Sequence, residues 1–195
     1  MKTFAGGEMT LSEFFNTVGG QILIQAIGFV AMAIGILSFQ RKKRASIIAF
    51  QMTASTLWSL QFLLLGGYTG AIQNALNIAR GFVLVQKRKH KWADSYVTLA
   101  VIILCFAASG FITVGIEGVW ALLPIAASIA SSFALFADKE ELLRKLSLIV
   151  SPLWLIYNIH TLSIAGIVAE TLTIISIFVA LYRFRENKKN KIDNT

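Results

Sequence analysis

The sequence predicts an all-α membrane protein of seven transmembrane helices, and three observations support this fold class. The chain has 195 residues, of which 56% are hydrophobic and 14% are charged, whereas soluble domains carry about 25% charged residues. Runs such as 97–115 and 164–182 are apolar over a length that crosses hydrocarbon about 30 Å thick. These runs are continuously apolar, without an alternation of period two, and this pattern favours helices over a membrane barrel.

The apolar runs and the breaks between them place the predicted helices along the chain. The seven helices are expected near 21–39, 46–65, 68–86, 97–114, 118–137, 145–161 and 164–183. Most of the breaks are short, so successive helices are expected to run antiparallel. The first 21 residues have no long apolar core of the kind found in a cleavable signal peptide, so helix 1 is expected to direct its own insertion.

The basic residues predict the orientation of these helices. All but two of the 18 Lys and Arg residues lie in the breaks after helices 1, 3 and 5 or in the C-terminal tail, and Lys2 and Arg80 are the exceptions. Cytoplasmic loops collect Lys and Arg, so the N-terminus is predicted outside the cell membrane and the C-terminus in the cytoplasm. This distribution attributes the net charge of +8 to topology and contact with lipid headgroups, not to nucleic-acid binding.

A shift of 96 residues aligns the second half of the sequence with the first half. The ungapped overlay of 55–85 on 151–181 pairs Trp58 with Trp154 and Gly70 with Gly166, besides several apolar matches. It aligns helices 1–3 with helices 5–7 and leaves helix 4 unmatched. The sequence therefore predicts two parallel three-helix repeats joined by a linker helix, a 3+1+3 plan; chance similarity between apolar helices is the alternative.

This plan divides the chain into five segments. They are an extracytoplasmic N-terminal segment at 1–20, a first repeat at 21–86, a cytoplasmic loop with linker helix 4 at 87–117, a second repeat at 118–183 and a basic cytoplasmic tail at 184–195. The expected surroundings are the lipid bilayer. A homo-oligomer is also left open by the sequence.

Polar side chains inside the predicted spans mark a candidate site, because such groups are costly in hydrocarbon. Helix 3 carries Asn74, Asn77 and Arg80, and Glu170 is the acid deep within helix 7. By the repeat, Glu170 occupies the position of Asn74, six residues or about 9 Å of helical rise from that of Arg80. Arg80 and Glu170 are therefore candidates for an ion pair between the repeats, as a static clasp or as a gate and solute anchor, and the sequence leaves open whether they pair or act separately.

The candidate solute-binding residues combine these groups with polar and aromatic residues on other helices. They are Trp58, Asn74, Asn77, Arg80, Trp154, Asn158, Glu170 and Thr173. The two tryptophans are expected to form aromatic walls, while Asn77, Asn158 and Thr173 supply hydrogen bonds. The spans lack a His-Glu-x-x-His motif and a pair of aspartates, so no catalytic residue, metal or cofactor is predicted and the chain is not expected to be an enzyme.

Four motifs carry a resemblance to a known family. They are Asn77 to Arg80 on helix 3, Leu123-Pro124 followed by 129–136 on helix 5, Trp154 with Tyr157-Asn158 on helix 6, and 163–170 on helix 7. Over about residues 21–185 the chain resembles the YgjV family, which implies a bacterial inner-membrane protein and a fold more than an activity. The 3+1+3 plan also resembles, more distantly, the PQ-loop superfamily with its SWEET sugar carriers and PnuC vitamin permeases, in which Trp and Asn side chains line the pocket.

Transport is the first functional expectation. A facilitative transporter of a small polar solute would rock its two repeats around a site at the midplane, driven by a gradient, because the sequence has no nucleotide-binding motif. The alternative is a non-transporting integral membrane protein, such as a receptor, a lipid-handling protein or an assembly factor.

Overall fold

The computed structural model describes residues 11–38, 40–41, 43–87, 89–137 and 140–193. Within these ranges a single-turn helix, Leu11–Phe15, precedes seven long helices: α1 (Val18–Ser38), α2 (Arg44–Leu64), α3 (Tyr68–Gln86), α4 (Tyr96–Glu117), α5 (Leu122–Ala137), α6 (Glu140–His160) and α7 (Ile164–Asp193). Short 3-10 helices occupy Lys91–Asp94 and Gly118–Ala121. The first ten residues and the predicted loop cations Lys42, Arg88 and Lys139 lie outside the described residues.

The prediction of an all-α fold with seven helices is confirmed, and the main differences lie at two helix ends. α6 begins at Glu140, five residues before its predicted start, and α7 continues to Asp193, beyond its predicted end at 183. Both extensions are rich in charged residues that form helices well, and acids are favoured in the first turn of a helix. Hydropathy locates the end of an apolar run, and here the helical hydrogen bonding continues past it.

The outer surface of the bundle is apolar. Within the described part of the chain, three stretches are long and apolar enough to cross a membrane: Val18–Ser38, Ala45–Leu64 and the continuous stretch Tyr96–Ala137 that contains α4 and α5. Large apolar side chains point outward, and Phe111 on α4 is 93% exposed. Soluble monomers rarely expose such continuous apolar surface, so lipid is the surrounding that this surface requires.

Six of the helices form a closed ring. α2 packs between α1 and α3, and α6 packs between α5 and α7. Two further contacts, α1 with α7 and α3 with α5, join these triplets, and α4 packs against α3 and α5. Polar side chains of α3 and α6, such as Gln73 and Asn158, are buried inside this arrangement, which explains why these two helices are less apolar than α1 or α4.

The turns that follow α2 and α6 have the same backbone geometry at positions 96 residues apart. In each turn a backbone N–H donates to the carbonyl oxygen five residues earlier: Gly67 to Phe62 at 2.8 Å, and Ser163 to Asn158 at 2.9 Å. The preceding residue is left-handed in both turns, with φ of 78° at Gly66 and 56° at Leu162. This is a common way to end a helix and satisfy its last carbonyl groups.

Candidate functional site

A cavity of about 300 Å³ lies inside the ring of helices. All eight candidate residues line it: Trp58, Asn74, Asn77, Arg80, Trp154, Asn158, Glu170 and Thr173. They come from α2, α3, α6 and α7, so the fold brings together side chains that are up to 115 positions apart in the sequence. The structure thus collects these residues around one space, and their binding of a solute stays a prediction.

Arg80 is held by α5. Its Nη1 donates to Ser131 Oγ at 2.8 Å and to Ser132 Oγ at 2.9 Å, with a longer contact of 3.4 Å to the carbonyl oxygen of Ser128. The guanidinium also lies 5.5 Å from the ring centroid of Phe106 on α4, within the range of a cation–π interaction. Hydroxyl and carbonyl oxygens therefore hold the buried cation through one of its terminal nitrogens.

The candidate ion pair between Arg80 and Glu170 does not form in this structure. Among the described residues no salt bridge joins them, and the Glu170 carboxyl group lies beside Ser151 of α6 instead. Helix rotation explains the difference, because α3 directs the guanidinium toward α5 whereas α7 directs the carboxylate toward α6. Both groups line the cavity as separate charges.

Two acceptor atoms at the cavity have no hydrogen-bond partner among the described residues. They are Asn77 Oδ1 and Asn158 Oδ1, and both are buried. A buried acceptor without a donor costs about 1–3 kcal/mol. Both residues line the cavity, so a solute that donates hydrogen bonds there would satisfy at least one of these atoms.

An aromatic cluster of Trp58, Phe62, Trp154 and Tyr157 joins α2 to α6. The ring centroid of Phe62 lies 6.2 Å from Trp58, 6.0 Å from Trp154 and 5.6 Å from Tyr157. Phe62 and Tyr157 are almost completely buried. The cluster lies toward the turn end, by which we mean the end of the bundle where α2 and α6 finish and α3 and α7 begin.

Tyr157 also ties three helices together at the turn end. Its hydroxyl donates to Glu117 Oε2 at 2.9 Å and accepts from the Gly70 N–H at 2.8 Å, while the Thr69 N–H donates to Glu117 Oε1 at 2.7 Å. A Cβ atom at Gly70 would come within 2.7 Å of the Tyr157 ring, so the close approach depends on glycine. The terminal residue of α4 and the first turn of α3 are thereby fixed to α6.

A second polar network at the turn end links α1 and α2 to the start of α7. Gln25 Oε1 accepts from the Ile164 N–H at 3.0 Å and from Gln61 Nε2 at 3.3 Å. The Ser163 hydroxyl donates to Gln61 Oε1 at 3.2 Å. These contacts, together with those of Tyr157, occupy the space between the two helix triplets at this end.

The opposite end of the bundle contains further empty space. We call it the basic end, because the predicted basic breaks lie there. Two cavities of about 390 and 530 Å³ share lining residues with the central cavity, and Trp58 lines all three. The larger of the two cavities extends to Ser38, the last residue of α1, and to Ser147, in the first half of α6. The central cavity is therefore adjacent to open volume at the basic end and to packed side chains at the turn end.

Several residues of the site were not predicted from the sequence. Ser131 and Ser132 anchor Arg80, Phe62 lines the cavity, and Glu117 was assigned to a break between helices. The available signal was the spacing of Ser128, Ser131 and Ser132, which places three hydroxyls on one face of helix 5. Small hydroxyls are common at contacts between membrane helices, and this spacing alone does not identify their partner.

Known proteins resemble this chain over nearly its whole length. The family Imp-YgjV, described as bacterial inner membrane protein, matches residues 22–188. Inner membrane protein YgjV of Escherichia coli (strain K12) is 26% identical over 171 residues, which are 88% of this chain and 89% of that protein. No solved structure matches. The matched span reaches into all seven helices and contains every residue that lines the central cavity.

Proposed function

The chain belongs to the Imp-YgjV family of bacterial inner membrane proteins, and from this premise we propose that it carries a small polar solute across that membrane. The observation that carries the proposal is a polar cavity in the centre of the bundle, packed shut at the turn end and adjacent to open volume at the basic end. A carrier that exposes its site alternately at each side of the membrane has a cavity of this kind, closed at one end and accessible at the other, in one of its two conformations. The proposal assigns binding and passage to the chain, without catalysis or a cofactor.

Two parallel repeats, α1–α3 and α5–α7 with α4 as the linker, form part of the proposal. Gln61 contacts Ser163 at the start of α7. Its equivalent under the shift of 96 residues, Tyr157, lies with its hydroxyl 3.0 Å from the Cβ position of Gly67 at the start of α3. Reciprocal contacts of this kind, i with j′ and i′ with j, are expected from a two-fold axis.

The packing of whole helices supports the same relation. The shift of 96 residues converts the contact between α1 and α7 into the contact between α5 and α3, and both contacts are present. The repeated turn geometry at Gly66 and Leu162 adds backbone agreement. We propose a SWEET-like plan on these grounds, with the two units rocking about the central cavity to expose it alternately at each end.

The orientation in the membrane follows from the basic residues. Arg41, Lys43, Lys87, Lys89 and Lys91 belong to the basic end, and cytoplasmic loops collect such residues. We propose that this end faces the cytoplasm and that both the turn end and the N-terminus lie outside. In that orientation the described state is open toward the cytoplasm and closed toward the exterior.

Solute flux in proteoliposomes tests the transport proposal. Purified full-length protein is reconstituted and supplied with a panel of small polar metabolites, one labelled solute at a time. We expect saturable uptake of at least one solute, which Asn77→Leu and Trp154→Ala both abolish because they change the cavity wall. Phe111→Leu, on the lipid-facing side of α4, serves as the matched control and should leave uptake unchanged.

Two outcomes would contradict the proposal, one against transport and one against its path through the central cavity. Folded protein that moves no solute of the panel would favour a non-transporting membrane protein, such as a receptor or an assembly factor. Uptake that survives both cavity variants would show that the path does not pass through the central cavity.

A further inference from the structure

We infer that the solute is a zwitterion of amino-acid size, with its anionic group at Arg80 and its cationic group at Glu170. This inference rests on the proposed function and specifies the chemistry of the same site. Among the described residues that line the three adjoining cavities, the charged side chains are Arg80 and Glu170, one of each sign. A solute carrying both charges is therefore the one whose charges are all matched.

The two protein charges do not neutralise each other. Arg80 is hydrogen-bonded to serines of α5, Glu170 lies beside a serine of α6, and no salt bridge joins the two charged groups. Buried charges are costly unless they are paired with an opposite charge. Each of the two groups thus faces the cavity with its counter-charge missing, and this is the condition under which a ligand gains most by supplying it.

The anionic end of the solute fits Arg80. The described hydrogen bonds of this side chain all use Nη1, which leaves the donors on Nη2 and Nε for another acceptor. A guanidinium binds a carboxylate through two parallel hydrogen bonds. The hydrogen bonds to α5 hold the guanidinium in place before a solute binds, so its remaining N–H donors are already oriented when a carboxylate arrives.

The cationic end fits the opposite wall. An ammonium group has three donors and no acceptor, and the wall offers the Glu170 carboxylate and the unpartnered Asn77 Oδ1. Trp58 and Trp154 add aromatic faces, which attract cations. The cavity of about 300 Å³ is at the small end of ligand sites, so the solute has roughly the size of an amino acid.

Solutes with one charge or none fit less well. An anion would pair with Arg80 and leave Glu170 without a cation, and a cation would leave Arg80 without an anion. A neutral solute would leave both protein charges unmatched. This comparison defines the probes, since an amino acid, its 2-hydroxy acid and its amide differ mainly in which charge they retain.

The experiment measures binding by the shift in unfolding temperature of the purified full chain in detergent. The zwitterionic probes are the proteinogenic amino acids together with β-alanine and 4-aminobutyrate, in which the distance between the charges is longer. Each amino acid that stabilises the protein is compared with its 2-hydroxy acid and its amide. We expect at least one zwitterion to bind, and its two analogues to bind about tenfold more weakly or worse, because each leaves a buried charge unpaired.

Charge-removing variants separate recognition from structural support. Arg80→Gln is expected to remove the preference for the amino acid over its amide, and Glu170→Gln the preference over the 2-hydroxy acid. A residue with a merely structural role would weaken all three probes equally. Because Arg80 also tethers α5, the double variant S131A/S132A keeps the cation without its serine anchors; it should unfold at a lower temperature and bind the amino acid more weakly, while still preferring the amino acid to its amide.

The outcomes distinguish this inference from transport itself. Zwitterion binding without flux in proteoliposomes would contradict the proposed transport and support the binding inference. Flux of an anion or a neutral solute, with no zwitterion stabilising the protein, would overturn the inference and leave transport standing. Failure of every zwitterion to stabilise the protein, or an equal loss of all three probes in both charge variants, also overturns it.

Discussion

The turns after α2 and α6 follow the same backbone path with different residues at the critical position. Gly66 adopts a left-handed conformation freely, whereas the same conformation costs Leu162 about 1–2 kcal/mol because of its Cβ. Tertiary contacts hold the second turn, since Gln25 Nε2 donates to the Leu162 carbonyl oxygen at 2.9 Å and Ser163 bonds to Gln61. The comparison teaches that the backbone path of this turn recurs even where the local sequence no longer favours it.

The two halves differ most in charge. Asn74 of the first half corresponds to Glu170 of the second, and Arg80 corresponds to Ser176. Each half therefore contributes one charge to the cavity, from positions that do not correspond. The two turns share one backbone path, whereas the charges that line the cavity are not arranged symmetrically; under the proposed repeat plan, the two units would share a framework and differ in recognition.

The largest effect on stability is expected at the glycines where the third helix of each half approaches the second. At Gly70, a Cβ would lie 2.7 Å from the Tyr157 ring and 2.9 Å from Phe62, both of them buried rings. At Gly166 it would overlap the Asn158 side-chain amide, which can rotate toward the adjoining cavity. We expect Gly70→Ala to lower the free energy of unfolding by about 1–3 kcal/mol and Gly166→Ala by less.

Titration with SDS in mixed micelles measures these differences. Gly115→Ala on α4 is the matched control, since nothing lies within 4 Å of its Cβ position, and alanine in a helix should raise stability by up to about 1 kcal/mol. If Gly70→Ala proved as stable as Gly115→Ala, the close contact between α3 and Tyr157 would be wrong. If Gly166→Ala lowered the free energy of unfolding more than Gly70→Ala, the Asn158 side chain would not be able to rotate away from the added Cβ atom.

A comparable effect is expected from the hydroxyl of Tyr157, which stands where the first half has the side-chain amide of Gln61. Tyr157→Phe removes the hydrogen bonds to Glu117 and Gly70 and is expected to cost about 1.5–3 kcal/mol, because one partner is a carboxylate. The hydrogen bonds that are removed belong to the contacts that close the turn end. The same substitution should therefore shift the conformational equilibrium toward opening at that end, by about tenfold for each 1.4 kcal/mol.

Cysteine labelling measures this opening. Ala169 lines two of the cavities, so Ala169→Cys in a C105A background reports access for a membrane-impermeant maleimide added to intact cells. Labelling should rise about tenfold or more in Tyr157→Phe. Tyr68→Phe, at an exposed tyrosine one residue before Thr69, is the control and should change neither stability nor labelling. Unchanged labelling in Tyr157→Phe would show that its hydroxyl does not hold the turn end closed.

Much of the fold could be predicted because lipid imposes simple demands on a chain. Continuous apolar runs must become helices, and this rule located seven of them. It could not locate the ends of α6 and α7, since Glu140 and Asp193 extend helices into regions where hydropathy carries no information. The eight cavity residues were recognisable for a related reason, because polar groups within an apolar span are costly and tend to face the interior.

The contacts of those residues could not be predicted in the same way. The Arg80–Glu170 pair was a candidate because of their heights in the membrane, but the partner of Arg80 depends on the rotation of α3 against α5, which sequence periodicity leaves undetermined. Ser131 and Ser132 gave little signal, because a hydroxyl in a helix can bond to a carbonyl of its own preceding turn. Glu117 could not be recognised as a site residue from the sequence, because its hydrogen-bond partners lie on other helices, α3 and α6.

The smallest effect concerns the two left-handed turn residues themselves. Leu162 is 72% exposed, so Leu162→Gly removes backbone strain with little loss of packing, offset by the greater freedom of glycine in the unfolded chain. We expect the free energy of unfolding to rise by up to about 1 kcal/mol in the same SDS titration. Gly66→Leu should lose a similar amount, about 1 kcal/mol, from the backbone alone, because nothing lies within 4 Å of its Cβ position. The double variant, Gly66→Leu with Leu162→Gly, exchanges the two residues between the turns, and its free energy of unfolding should be close to that of the wild type. A loss of stability in both single variants would instead mean that the Leu162 side chain contributes packing that outweighs its strain, and the two turns would then be equivalent in path but not in what holds them.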